Sequence, residues 1–361
     1  MGNESKRIVL YHGFTPFEGD ALETKPLGGS EAAIIHMMRE LALLGHEPTV
    51  ICKCEKPGKF SGVNFVNLSR ARDILEGQGA DIFISQTSLD VFQFNIKAKL
   101  KVFWTGGNHD VRVIQPMADK KIQNNIDYFF FVSAWQAEGF NSKFGIDRAK
   151  IFITRNGFDP LLFKDGVKKE KYRMIYFSSP SRGLDVLLDM FPKIRKRFKD
   201  AELHIYSDYE FYGQKRGEGA REHPEIFKKI DQPGVRSFGN VKREEMAREV
   251  QKAYIMAYPT AFRETSCMAA IEAQAAGTVP VTSKLAGLTE TVLDSKTGVL
   301  VGGNSHSLFY KWKFVNKVIE LFENEDKWRA LSEAGKSRMK EDFTWSKIAH
   351  EWDQFFKEKL K

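Results

Sequence analysis

Short apolar runs alternate with longer one-sided amphipathic stretches along most of the chain. KRIVLYHG, closing at Gly13, reads as a buried strand. A loop rich in Gly, Pro and acidic residues follows at 14–27. Apolar positions 34, 35, 37, 38, 41, 42 and 44 then predict a helix with one broad buried side. Gly28-Gly29 form a tight turn ahead of it, Ser30 is its expected N-cap, Glu31 sits in its first turn and Gly45 ends it. Pro48–Cys52 begins the next strand, which completes a βαβ unit with a parallel sheet.

The pattern repeats. FVNL (65–68), DIFISQ (81–86), KVFWT (101–105) and YFFFVS (128–133) read as strands, with helical stretches around Arg70–Asp73 and over Ala134–Phe144. The turn Asn156-Gly157-Phe158-Asp159 closes this first series. KDGVKKEK (164–171) has no apolar period and reads as a linker. A second series begins with RMIYFSS (173–179). Arg182-Gly183 open the helix LDVLLDMFPKIRKRF, and AELHIYS (201–207) is a strand. A polar insert bearing irregular helix is expected at 208–234. VRSFGNV, YIMAYP, VPVTS (279–283) and GVLV (298–301) supply further strands. Helices close the chain at about 305–323, 325–340 and 345–361. Alternation of this kind predicts two doubly wound α/β domains, 1–167 and 168–344. The helix 345–361 is expected to pack back on the first.

Composition narrows the class without naming it. At 361 residues the chain suits two domains, and 42% hydrophobic with 28% charged residues is ordinary for a globular protein. The net charge of +8 is spread along the chain. It fits a solvated surface, or attraction to anionic ligands, acceptors or membrane surfaces. No recognition motif supports nucleic acid. Cys52 and Cys54 stand at C-x-C spacing, which suits neither zinc nor a redox pair; with Cys267 they make a sparse, odd set expected in a reducing compartment. No signal-peptide-like stretch precedes the first strand, and no run approaches the roughly 18 apolar residues of a membrane span. The expectation is a cytoplasmic protein, at most peripheral to a membrane.

The most chemically pointed stretch is YPTAFRETSCMAAIEAQAAG (258–277). A strand end leads into a loop with Arg263 and Glu264. A helix rich in small residues is expected from about Thr265 to Ala276, with its stop at Gly277. Glu264 and Glu272 bracket it, and helical spacing puts them about 80° apart around the axis. One ligand lying along the helix could touch both. The unpaired N–H groups at the helix start make an anion site. A buried alanine-rich helix with a chance pair of glutamates fits the same spacing. Gly28-Gly29 are a second place where phosphate could approach backbone, although G-x-G-x-x-G is absent.

Several strings occur in one order along the whole chain: GGSE (28–31), NHD (108–110), FVSAWQ (131–136), RNGFD (155–159), SRGLDVLL (181–188), FRETSCMAAIEAQAAGTVPVTS (262–283) and AGLTETV (286–292). Together they resemble the family-four retaining glycosyltransferases of GT-B fold. The resemblance implies two Rossmann-like domains facing a central cleft, with the nucleotide-sugar donor on the C-terminal domain and the acceptor on the N-terminal one. By motif match, Glu264 would contact sugar hydroxyls and Glu272 the ribose diol. Backbone N–H groups of Ser266, Cys267 and Met268 would lie near sugar or phosphate. Gly29, beside Gly28, would approach the diphosphate. His109 matches a histidine near the reacting sugar, and Arg182 stands where the family usually has a lysine on the diphosphate.

This chain departs from that pattern. The arginine usual about five residues before the lysine is missing, since Tyr176-Phe177-Ser178-Ser179 carry no base. Arg263 or another cation would replace the lost charge, or Ser178 and Ser179 would bind phosphate as neutral donors. Thr265-Ser266-Cys267 replace the commoner Gly-Phe-Gly. No D-x-D metal motif is found; Asp208-Tyr209-Glu210 and Glu323-Asn324-Glu325 come nearest. The expected activity is metal-independent, retaining transfer of a hexose-type sugar to a glycan, lipid-linked or other hydroxyl acceptor, with no cofactor. A catalytically weak or inactive nucleotide-sugar binder, or a GT-B sugar-nucleotide epimerase, are the rival readings.

Overall fold

The computed structural model describes residues 4–24, 27–164, 166–207 and 224–361. The chain divides into two compact units, Met1–Gly157 with Trp345–Lys361, and Phe158–Thr344. The first unit carries β1 (Arg7–Tyr11), β2 (Glu47–Cys52), β3 (Gly58–Phe60), β4 (Val63–Asn67), β5 (Ala80–Gln86), β6 (Ala98–Thr105), β7 (Tyr128–Phe131) and β8 (Ile151–Ile153). The second carries β9 (Glu170–Tyr176), β10 (Glu202–Ile205), β11 (Val235–Ser237), β12 (Ala253–Tyr258), β13 (Val279–Ser283) and β14 (Val299–Val301). The longer helices are α1 (Gly29–Leu43), α2 (Ala134–Phe144), α3 (Leu184–Arg197), α4 (Arg243–Lys252), α5 (Met268–Ala275), α6 (Leu308–Glu323), α7 (Glu325–Asp342) and α8 (Trp345–Lys359).

Among the described residues the first unit holds one sheet, ordered β3-β4-β2-β1-β5-β6-β7-β8. Its pairs are parallel except β3–β4. β1 lies inside it, with Ile8 opposite Ile82 and Val9 opposite Phe83. Its residues 8–11 are all buried, which is why KRIVLYHG shows no alternation. The β3 strand of the β3–β4 hairpin escaped the sequence reading, which assigned no element between Cys52 and FVNL. Three residues, Gly-Lys-Phe, are too few to display a period of two.

Helix α8 packs on α1 and completes the first unit. Trp352 meets Trp104 and Phe130 edge-on, at 5.0 and 4.9 Å. Its Nε1–H donates to Thr154 Oγ1 at 2.8 Å. Trp345 stacks flat on His36 at 5.6 Å. The Lys6 N–H donates to His46 Nδ1, so the ring proton sits on Nε2 and donates to Asp353 Oδ1 at 3.1 Å. Burial lowers the His46 pKa, against the opposing pull of Asp353.

Among the described residues the second unit is a parallel sheet ordered β11-β10-β9-β12-β13-β14. β12 is buried along its whole length. The chain enters this unit at Phe158, ten residues before the expected boundary of 167/168. The Phe158 N–H donates to Phe343 O at 2.9 Å, and its ring clusters with Ile271, Met339 and Phe343. The charged stretch read as a linker runs on into β9, whose first two residues, Glu170 and Lys171, are exposed. Of the insert expected at 208–234, residues 208–223 lie outside the described residues, as do Asp208-Tyr209-Glu210. The rest forms short helical turns over Pro224–Ile230 before β11.

Candidate functional site

β9 and β12 are neighbours, so the loops after Tyr176 and Tyr258 leave the sheet side by side. That carboxyl edge is where open α/β sheets bind ligands. Two glycines hold the second loop. Gly183 adopts φ 101°, and a Cβ there would lie 2.4 Å from Pro259 O. A Cβ on Gly287 would lie 2.1 Å from Thr265 O, and its N–H donates to Glu264 O at 2.8 Å.

Held in this way, Glu264 is buried, with 6% of its surface exposed. Its Oε1 accepts from Tyr258 O–H at 2.6 Å and from Arg182 Nη1 at 2.9 Å. Tyr258 accepts in turn from Ser178 Oγ at 3.2 Å. Burial, and then the Glu264 charge, push the Tyr258 phenol well above its ordinary value, so it stays protonated and donating. The Arg182 guanidinium also lies 4.0 Å above the Phe262 ring. Both donors converge on one carboxylate oxygen. Oε2 takes no hydrogen bond among the described residues and keeps its accepting capacity.

Helix α5 starts at Met268, not Thr265, with Cys267 as its N-cap. Thr265 and Ser266 are drawn into the clamped loop. Glu264 is therefore off the helix, and the helical spacing between it and Glu272 does not apply. Glu272 lies on the second turn of α5, half-buried, with Arg243 Nη2 of α4 3.6 Å from its Oε1. Burial raises its pKa and Arg243 opposes this. Cys267 is buried; burial and then Glu264 push its thiol up, while the N–H groups of Ala270 and Ala269 pull it down. It is not poised as a thiolate. Ser179 Oγ is 3.1 Å from Ser181 Oγ, and Tyr176 O–H donates to Ser179 O. Arg263 is exposed and makes no ion pair among the described residues.

In the first unit His109 follows β6. Its N–H donates to Asn108 Oδ1 at 2.8 Å, and its carbonyl accepts from Gln115 and Lys143. The ring lies 6.3 Å from Phe140 and 6.5 Å from Trp135, against Gly139, where a Cβ would fall 2.4 Å from Nδ1. That Nδ1 is buried with no partner among the described residues. Gln136 ties the preceding turn, donating to Thr105 O and Gly107 O. Gly28, rather than Ser30, is the N-cap of α1, and Gly29 is its first residue. Glu31 folds back so that a Cβ on Gly28 would meet its Oε2 at 2.5 Å. Its Oε1 is 3.6 Å from His12 Nε2. His12 donates from Nδ1 to Gln86 Oε1 at 2.8 Å and accepts the Thr15 N–H at Nε2. Burial lowers its pKa.

The structure thus joins Arg182, Glu264 and Ser178 in one network. It places Glu272 apart with Arg243 and leaves the Ser179 side chain and Arg263 outside that network, although the Ser179 carbonyl accepts the Arg182 N–H at 3.0 Å. His109, Gly28 and Gly29 belong to the other unit. Sequence reasoning missed Tyr258, Gly287, His12 and Gln86. His12, Gln86 and Tyr258 end or follow strand runs at the ligand-binding edge, a signal that was available. The reach of Gly287 back to residue 264 was not.

Residues 173–324 match the family model described as "Glycosyl transferases group 1". The chain is 25% identical over 207 residues to the lipopolysaccharide 1,2-N-acetylglucosaminetransferase of Salmonella typhimurium, covering 56% of this chain and 52% of the relative. It is 26% identical over 245 residues to the phosphatidyl-myo-inositol mannosyltransferase of Mycobacterium tuberculosis, covering 66% and 60%. These matches therefore span less than two thirds of either relative. The structure superposes on Anabaena HepE, solved with UDP and glucose, with a TM-score of 0.71 at 13% identity, covering 98% and 100% of the chains. The superposition defines the class of fold: the chain has the GT-B fold of two Rossmann-like units. More narrowly, its second unit carries the group 1 pattern.

Proposed function

We propose that the chain transfers a hexose-type sugar from a nucleoside-diphosphate sugar to a hydroxyl of a glycan or lipid-linked acceptor, without a metal ion and with retained anomeric configuration. The Glu264 carboxylate carries this reading. It is buried, fixed through Oε1 by Tyr258 and Arg182, and keeps Oε2 to accept a sugar hydroxyl. In the transfer, the bond from the anomeric carbon to the diphosphate oxygen breaks. The acceptor oxygen bonds to that carbon, and its proton leaves to the diphosphate. Positive charge develops on the sugar as the bond breaks, and the fixed carboxylate stabilises it. Arg182 and the N-terminus of α5 oppose the charge of the leaving group. Glu272 is a candidate for the ribose diol and His109 for the reacting sugar. The relatives named above act on N-acetylglucosamine and mannose, and the Anabaena neighbour was solved with UDP and glucose, which supports a nucleotide-sugar donor.

Nucleotide release from a panel of UDP-, GDP- and ADP-sugars, with and without EDTA, tests the reading. Turnover insensitive to EDTA is expected, and loss of turnover in EDTA counts against metal independence. Glu264→Ala and His109→Ala are each expected to abolish transfer while the protein stays folded; full activity in either removes that residue from the site. The second reading is a nucleotide-sugar binder without turnover. It draws on the sequence Phe177-Ser178-Ser179, which lacks a second base. Calorimetric binding of a donor with no release across acceptors would select it.

A further inference from the structure

The outer face of α6 presents an apolar patch that the core of its unit does not use. One face of the helix is buried through Tyr310, Phe314, Val318 and Leu321. On the other, Leu308, Phe309 and Trp312 are 81%, 63% and 58% exposed. They lie within the first turns at helical spacing, so they share one surface. Phe309 and Trp312 stack at 5.9 Å with planes 9° apart, and Lys313 Nζ sits 4.1 Å over the Phe309 ring. In the first unit the most exposed large hydrophobic is a single side chain, Leu43 at 79%, and the aromatic Phe14 is 37% exposed.

The acidic groups of α3 beside the patch are met, with Asp185 4.0 Å from His306 Nδ1. α3 lies along α6, with Asp189 bridged to Lys311 and Arg197 to Glu323. Asp189 is also bridged by Lys229, so its charge is met twice. Lys193 and Lys196 on α3 are exposed and make no ion pair among the described residues. A protruding Leu-Phe-Trp group with Lys313 against it, and Lys193 and Lys196 further along the neighbouring α3, fits an interface where apolar side chains enter acyl tails and ammonium groups meet anionic headgroups. No helix among the described residues is long and apolar enough to cross a membrane.

We propose that α6 is a membrane-docking element that seats the second unit on an anionic lipid bilayer, with Leu308, Phe309 and Trp312 inserted and Lys193, Lys196 and Lys313 on the headgroups. The docking does not depend on sugar transfer. Trp312 reports it directly, since it is the one tryptophan of six exposed beyond a third; the others are buried or half-buried. The full chain is mixed with phosphatidylcholine vesicles with and without phosphatidylglycerol, and sedimentation and tryptophan emission are read. The expected result is co-sedimentation and a blue shift with the anionic vesicles only, with the blue shift absent in Trp312→Phe. Phe309→Ser/Trp312→Ser should weaken sedimentation about tenfold or more, with an unchanged melting temperature because both positions are exposed. Lys193→Glu/Lys196→Glu should weaken it without touching the apolar group. Absence of anionic-vesicle binding, or binding unchanged by the aromatic double variant, overturns the proposal. So does lipid-independent dimerisation that the double variant abolishes, which would give the patch to a second copy of the chain.

Discussion

At the scale of single residues, the site is a short chain of hydrogen bonds ending on one oxygen. Ser178 donates to Tyr258, Tyr258 to Glu264, and Arg182 to the same Oε1. Tyr258→Phe removes one donor and leaves the carboxylate in place. Its expected cost is about 1 kcal/mol of stability, with turnover lowered much less than in Glu264→Gln. Glu264→Gln should cost roughly 10²–10³ in turnover if the charge acts on the transition state. Equal turnover losses in the two variants would mean that orientation rather than charge matters. Gly287→Ala tests the clamp, because its Cβ would fall 2.1 Å from the Thr265 carbonyl. Overpacking of this kind is expected to cost about 1–3 kcal/mol and to weaken donor binding, read by denaturant melts and calorimetry. A melt and a donor affinity equal to wild type would show that the loop is not held there. Glu264 stood out in the sequence through its motif. Its partner Tyr258 was read only as a strand end, because a hydrogen bond six residues back leaves no periodic trace.

At the scale of elements, α8 is the clearest dependence. Trp352 is fully buried between Trp104 and Phe130 and anchored to Thr154. Trp352→Ala is expected to cost about 3–5 kcal/mol, read as an earlier denaturant midpoint for the first unit. Below it, His46 and Asp353 form a buried pair, and burial also keeps His12 neutral. Both histidines have folded pKa values below their unfolded values. The unfolded chain therefore takes up protons first as pH falls. The stability they protect is complete above the ordinary histidine pKa of about 6.5 and is lost below it. The melting temperature of the first unit should fall from pH 7 to pH 5, and His46→Gln should flatten that slope; an unchanged slope would remove His46 from the account. Most strands and the long helices were legible from periodicity, since parallel strands buried on both faces read as unbroken apolar runs. The start of α5 was not. Small residues favour helix from Thr265 on, but the Gly287 clamp holds 264–266 in loop. The β3 hairpin strand was too short to see.

At the scale of the molecule, two compact units predict unfolding that departs from a single two-state transition. If the donor binds chiefly through Glu264 and α5, a saturating nucleoside diphosphate should stabilise the second unit. At about 100 times the dissociation constant the gain is about 2.7 kcal/mol. Differential scanning calorimetry with and without nucleotide should show the transition of that unit move most. Movement of only the first unit's transition would put the nucleotide elsewhere. The division into two α/β halves was legible, while the boundary slipped by ten residues because charge composition marks polar stretches and not the residue at which packing changes hands. The first unit is also discontinuous, and this bears on how the protein is made. A ribosome delivers Trp104 and Phe130 long before Trp352, with the whole second unit emerging between them. Until residues 345–359 follow, the aromatic floor of the first sheet has no cover, so the second unit can finish folding while the first still waits. Premature stops before Trp345 should therefore yield chains whose downstream half is sound and whose upstream half is captured by chaperones. A circular permutant with α8 moved ahead of β1 should fold in the order of its synthesis.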